Sequence, residues 1–225
     1  MARARIRVWD LPTRIFHWTL ALLALFSFTT GKVGGGWMAW HLGSGYAILA
    51  LLLFRLAWGV VGSTTARFTH FLRGPRAAVA YGRTLLATRR SSHFGHNPLG
   101  GLMVLSMLAG FLLQAVTGLF SDDEISTQGP LAAKVSDALV SRMSALHSYN
   151  EWVLAALVGF HVMAIAIYAG AFRASLVGPM VVGWRAIDAG DAVPSYRAAP
   201  AWRAAIVLAF AAGFVYWLVV VFPRG

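Results

Sequence analysis

Apolar residues fall into five long runs separated by basic or mixed stretches: Leu11 to Thr30, Trp37 to Val61, Pro98 to Phe120, His147 to Ala171 and Trp202 to Phe222. Each is long enough to cross a hydrocarbon core about 30 Å thick, which takes roughly 20 helical residues. The pattern predicts an all-α integral membrane helical bundle, one transmembrane domain over residues 1–225 with no soluble domain attached. The first run is as long as a true span and ends in no small-residue cleavage site, so it is expected to persist as the first helix rather than be removed as a signal peptide.

Local signals place two helix starts. In VWDLP, Asp10 is suited to an N-cap and Pro12 to the first turn, where a missing N–H costs nothing; Asn97 and Pro98 repeat the arrangement in HNPLG. The segment Gly74 to Thr88 mixes arginines with a modest apolar face and is too short and polar to span, which leaves a helix lying on the membrane interface or an ordinary loop. The connection from Ser121 to Leu146 is the longest exposed segment on its side, mildly acidic, and reads either as a docking place for a redox partner or as a plain solvated loop.

Composition agrees with a membrane protein: 58% of residues are hydrophobic and 12% charged. The chain has no cysteine, which excludes disulfides, thiolate metal sites and iron–sulfur clusters within it. A net charge of +11 could suggest nucleic acid, but its distribution does not. Fourteen of the 19 Lys and Arg residues lie before or in the first turn of the first span, between the second and third, or between the fourth and the first turn of the fifth. The other connections hold Lys32, Lys134, Arg142 and Arg224 among most of the acidic residues. By the positive-inside rule the N-terminus is cytoplasmic and, after five spans, the C-terminus periplasmic. The basic residues therefore serve topology and membrane lipid, and no nucleic-acid partner is expected.

Four of the seven histidines, His17, His41, His147 and His161, sit inside spans or at their ends. An ionisable group in hydrocarbon is expensive unless partnered, which makes function the first hypothesis. His147 and His161 are fourteen positions apart. At about 100° and 1.5 Å per residue, they share one helix face at an axial separation of about 21 Å. The fourth span runs inward and the first outward, which puts His17 level with His161; the second runs inward, which puts His41 level with His147. Two pairs result, each drawn from two helices. Facing histidines suit a bis-histidine haem between helices better than zinc or copper, which would want three or four ligands at one depth.

Arg55 lies fourteen positions after His41, at the depth of His17 and His161. No acidic residue lies within the spans at that depth, so its anion would be a haem propionate, or its head would snorkel to the headgroups. Glycines in HLGSGY and Gly159 beside His161 would let a flat ring approach the backbone, and are also common in membrane helix packing. Gln114 and Thr117 either hydrogen-bond a cofactor or quinone or tie helices together, the second being favoured. His70, His93 and His96 are read as interfacial, with proton uptake beside a quinone as the functional alternative.

The segments VWDLPTRIFHW, HLGSGY, GHNPLGGLM and HSYNEWVLAALVGFHVMAIAIY resemble the prokaryotic cytochrome b561 family, which includes b-type cytochrome subunits of nickel–iron hydrogenases. The resemblance covers roughly Val8 to Trp184, the first four spans. It implies a four-helix haem-binding core at about residues 8–184 in a bacterial inner membrane, with two haem b groups held by the metal ligands His17 and His161, and His41 and His147. It also implies electron exchange between the quinone pool and a periplasmic redox partner, either a hydrogenase small subunit or a c-type cytochrome. The span at 202–222 is not required by that core. It could pack on the bundle, recruit a partner subunit or pair two copies as a homodimer. The readings from other classes are a histidine-lined proton or ion transporter, which predicts a colourless protein, and a non-redox membrane anchor, which leaves the paired histidines without a reason.

Overall fold

The computed structural model describes residues 3–88, 95–188 and 195–224. In chain order these form β1 (Arg3–Arg7), α1 (Leu11–Val33), α2 (Met38–Val61), α3 (Phe68–Phe71), α4 (Gly74–Thr88), α5 (Pro98–Gly118), α6 (Asp137–Gly170), α7 (Val177–Val182), β2 (Trp184–Asp188) and α8 (Ala201–Tyr216). Helix α8 runs on through a wider π turn, Trp217–Val221, and a final tight turn. Five of these helices are long and apolar enough to span a bilayer, and the chain is an all-α, multi-pass membrane protein.

Both predicted caps form. Asp10 Oδ1 accepts from the Thr13 amide at 2.8 Å, and Asn97 Oδ1 from the Gly100 amide at 2.8 Å, each satisfying one free donor of a first turn. Helix α6 differs from the expected fourth span by starting at Asp137, ten residues before His147. Ser141, Arg142 and Ser144 end the apolar run there, but neither Gly nor Pro occurs between Asp137 and Val158, so nothing breaks the helix. At 34 residues α6 is about 51 Å long by its rise, longer than the hydrocarbon core. The connection at that end is correspondingly shorter, Leu119 to Ser136.

Helix α2 is the centre of the bundle. Ile48, Leu49, Leu52, Phe54 and Trp58 are buried along it, whereas α1, α6 and α8 turn most of their side chains outward. The packed neighbours are α1 with α2, α2 with α5, α5 with α6, and α8 with α2. The fifth span is thus part of the bundle, applied to α2 through Ala204, Ala211 and Val215. Lipid tails are as apolar as leucine, so association depends on close approach and polar bonds rather than on hydrophobic burial. The α5–α6 contact shows both. A Cβ on Gly110 would lie 2.9 Å from Leu154 Cδ2, and Asn150 Nδ2 donates to the Gly110 carbonyl at 2.9 Å and to Gln114 Oε1 at 2.8 Å.

The end of the bundle where α1, α5 and α8 begin is the arginine-rich end. Gly74 to Thr88 is a helix there, not a loop, and its Ala78, Tyr81 and Leu85 face is buried toward α5 and Tyr168. An antiparallel ribbon, absent from the sequence reading, joins β1 to β2 with Arg3 opposite Asp188 and Arg7 opposite Trp184. It continues through Gly183, whose carbonyl accepts from the Val8 amide at 2.9 Å and the Trp9 amide at 3.2 Å. Gly183 has φ +86, and a Cβ there would meet the Trp9 carbonyl at 3.0 Å, so the position favours glycine twice over. Arg14 Nη2 donates to the Val181 carbonyl and Trp18 Nε1 to the Met180 carbonyl, which fastens the start of α1 to α7.

Candidate functional site

Helix α1 does not pack closely on α6, nor α2 on α6, although each of these pairs carries facing histidines. The four helices form an arc, α1–α2–α5–α6, whose two ends approach across a seam. The seam is crossed by imidazoles. His17 and His161 have ring centroids 6.3 Å apart at an interplanar angle of 53°, and His41 and His147 are 6.2 Å apart at 86°. Helix α6 is unbroken between His147 and His161, so the two pairs are separated by about 21 Å along it. His17 with His161 and His41 with His147 are the same partners that share a depth in the sequence.

At the pair farther from the arginines, both rings are held from behind. His41 Nδ1 donates to the Ser27 carbonyl at 2.8 Å, with Ser27 Oγ at 3.3 Å. His147 Nδ1 donates to the Gln114 carbonyl at 3.0 Å, with Thr117 Oγ1 at 3.1 Å. A carbonyl can only accept, so Nδ1 carries the proton in both rings and Nε2 is left with its lone pair. Two glycines make room: a Cβ on Gly31 would lie 2.8 Å from His41 Nδ1, and one on Gly118 3.0 Å from His147 Cε1. Gln114 and Thr117 therefore do tie helices together, and one of the groups they tie is an imidazole. Ser27, Gly31 and Gly118 carry no motif that marks them in the sequence. Their signal is position: Ser27 and Gly31 are one turn apart on α1, and Gln114 and Gly118 one turn apart on α5, at the level of the histidines they contact.

The other pair is set in a more charged surround. His17 Nδ1 is shut off from solvent and has no hydrogen-bond partner. Arg55 is 3% exposed, so it does not snorkel. Its guanidinium lies 4.8 Å over the Phe68 ring, and its Nη1 is also buried without a hydrogen bond. An acidic group is in fact near: Asp10, buried at the start of α1, interacts with Arg55 electrostatically while its Oδ2 accepts from Trp58 Nε1 at 3.1 Å. Asp10 is not legible in the sequence as a group near Arg55, because it belongs to a cap outside the spans.

His96, expected at the interface, is packed between Trp9 and Phe71, each with ring centroid 4.7 Å from its own. Burial, with Arg55, His161 and His17 nearby, pushes its imidazole down to about 3, and its Nδ1 is without a partner. His70 lines a cavity of about 440 Å³ with Arg5, Arg7, Thr65 and Tyr196. His93 lies outside the described residues. Of the small residues expected beside the ligands, a Cβ on Gly43, Gly45 or Gly159 would meet nothing within 4 Å, so the backbone beside the seam is open on that side. Among the described residues no group of three or more His, Asp or Glu side chains gathers as a metal site.

Residues 8–183 match the family model described as prokaryotic cytochrome b561. Two curated relatives are similar along most of their length. One, from Azotobacter chroococcum mcd 1, is 27% identical over 213 residues, covering 80% of this chain and 88% of the relative. The other, from Azotobacter vinelandii, is 25% identical over 218 residues with the same coverage. Both are named "Probable Ni/Fe-hydrogenase B-type cytochrome subunit". No solved structure matches the chain significantly.

Proposed function

The chain belongs to the prokaryotic cytochrome b561 family, and from that premise we propose that it is a di-haem b cytochrome carrying electrons across the membrane between quinone and a redox protein at the periplasmic face. The observation that carries the reading is the pair spacing. A metal–imidazole bond of about 2 Å at each side, plus about 1.1 Å from nitrogen to ring centre, separates two centroids by about 6.2 Å. The two pairs measure 6.3 and 6.2 Å. Among the described residues each pair offers two ligands and no third, which fits an ion whose remaining ligands come from a planar macrocycle.

In this reading His17 and His161 hold one haem and His41 and His147 the other. Haem b, when bound, supplies a one-electron iron couple. The Ser27 and Gln114 carbonyls keep Nε2 of His41 and His147 pointed into the seam and fix the tautomer of both rings. Arg55, buried with a free Nη1, is placed to pair with a propionate at the arginine-rich end, and the apolar walls of α1 and α6 keep water from the ring edges. The relatives' names point to a hydrogenase as the periplasmic partner, ahead of a c-type cytochrome.

The deciding measurement is a reduced-minus-oxidised visible spectrum of the purified protein with a pyridine haemochrome count. Two b-type haems per chain are expected. A colourless protein would overturn the proposal and leave a transporter or anchor in its place.

A further inference from the structure

At the arginine-rich end, away from the histidine seam, a cavity of about 320 Å³ is lined by Arg67, Arg197, Ala198, Ala199, Pro200 and Arg203. Half of its lining is guanidinium-bearing and none of it carboxylate. Arg67, Arg197 and Arg203 are solvent-exposed and concentrate positive charge around one hollow, and the fork geometry of guanidinium suits a phosphate. The hollow is built rather than incidental. Arg67 Nε donates to the Gly62 carbonyl at 2.8 Å, which fixes the base of its fork. The strand of chain that brings Arg197 is stitched to the end of α2: the Thr64 amide donates to the Arg197 carbonyl at 3.1 Å, the Arg197 amide to Thr64 Oγ1 at 2.9 Å, and the Ala199 amide to Ser63 Oγ at 3.0 Å.

What lies next to the cavity identifies the anion's carrier. Arg203 is in the first turn of α8, with its guanidinium 5.5 Å over the Trp202 ring. From there Trp202, Ile206, Phe210 and Phe214, each one turn beyond the last, are 60%, 46%, 76% and 51% exposed. A cationic hollow at the head of an outward-facing aromatic and apolar row matches a molecule with a charged head and a long apolar tail. A free phosphate would use only the first half. Tryptophan at that junction is the residue type that favours the headgroup level of a bilayer.

We propose that Arg67, Arg197 and Arg203 form a binding site for the phosphate of an anionic phospholipid whose acyl chain lies along the Trp202–Phe214 row of α8. The bound lipid closes the junction between the end of α2 and the start of α8, and so holds the fifth span on the bundle. The site shares no residue with the histidine seam, and its success or failure is independent of the redox reading.

The test is native mass spectrometry of the full-length protein equilibrated with equal amounts of phosphatidylglycerol and phosphatidylcholine. With each basic residue near a membrane surface worth about 1 kcal/mol, three predict a preference for the anionic lipid of about 100-fold. The triple variant R67Q/R197Q/R203Q should lose that preference, while Arg142→Gln at the opposite end should keep it. Helical circular dichroism of the variants checks folding, and if the triple variant does not fold, Arg203→Gln alone should lower the preference about fivefold. Equal retention of both lipids by the wild type, or equal preference in the wild type and the Arg203 variant, would overturn the site. Displacement of the lipid by millimolar inorganic phosphate would assign the hollow to free phosphate and overturn the lipid assignment.

Discussion

The Nδ1 of His41 lies 2.8 Å from the backbone carbonyl oxygen of Ser27, in the neighbouring helix. One hydrogen bond here sets a tautomer, a ring orientation and a helix contact together. His147 repeats the device on the Gln114 carbonyl at 3.0 Å. Both rings fit only because glycine stands beside them.

Gly31→Ala puts a methyl 2.8 Å from His41 Nδ1, and Gly118→Ala puts one 3.0 Å from His147 Cε1. Neither ring can keep both its carbonyl bond and its aim into the seam. Each variant is expected to fall from two haems to one by pyridine haemochrome count, as is His41→Ala. His17→Ala should also leave one haem, with a different absorption maximum and midpoint potential. Equal loss of both haems in every variant would indicate misfolding rather than selective ligand loss.

Asp10 does two jobs with one carboxylate, capping α1 through the Thr13 amide and accepting from Trp58 Nε1. Asp10→Ala removes the cap and strands a fully buried indole N–H, a combined cost of about 2–3 kcal/mol in unfolding free energy. Asp10→Asn retains the cap and should cost less. Trp58→Phe removes the other half of the bond. In denaturant titrations the double variant Asp10→Ala with Trp58→Phe should be less destabilised than the two single changes added, because they break one shared bond.

In the connection between α5 and α6, Asp123 Oδ1 accepts from the amides of Ile125, Ser126 and Thr127 at 3.0, 2.9 and 2.8 Å. These bonds hold its carboxyl down at about 2, below the ordinary value of about 3.9. A depressed carboxylate supports the folded loop fully above its unfolded value, and that support is lost as the pH falls through about 2. The Ser126 and Thr127 amide resonances should therefore titrate with a midpoint near 2, and Asp123→Asn should abolish the transition. A midpoint near 4 would show that the bonds do not form in solution.

With five candidate spans among the described residues, the two termini are expected on opposite sides of the membrane. Fluorescent-protein fusions are expected to glow at the N-terminus and stay dark at the C-terminus, with alkaline phosphatase giving the reverse. Active phosphatase at the N-terminus would invert the orientation and move the Arg67, Arg197 and Arg203 hollow to the periplasmic side.

The sequence by itself determined the five spans, two of the helix starts and the pairing of histidines by depth. All three depend on local or one-dimensional quantities: apolar run length, a capping side chain, and a fixed rise and turn per residue. It could not determine where α6 begins, because hydropathy ends where the apolar core ends and a helix does not. The β1–β2 ribbon was also invisible, since each strand is five residues long and its partner lies nearly the whole chain away. Only the tertiary structure set Asp10 against the Trp58 indole, enclosed His96 between Trp9 and Phe71, and set Ser27 and Gln114 behind the imidazoles. Those relationships are between side chains and backbone groups of different helices, and they depend on how the helices are rotated and stacked. Helix periodicity says which residues share a face; packing alone decides what that face meets.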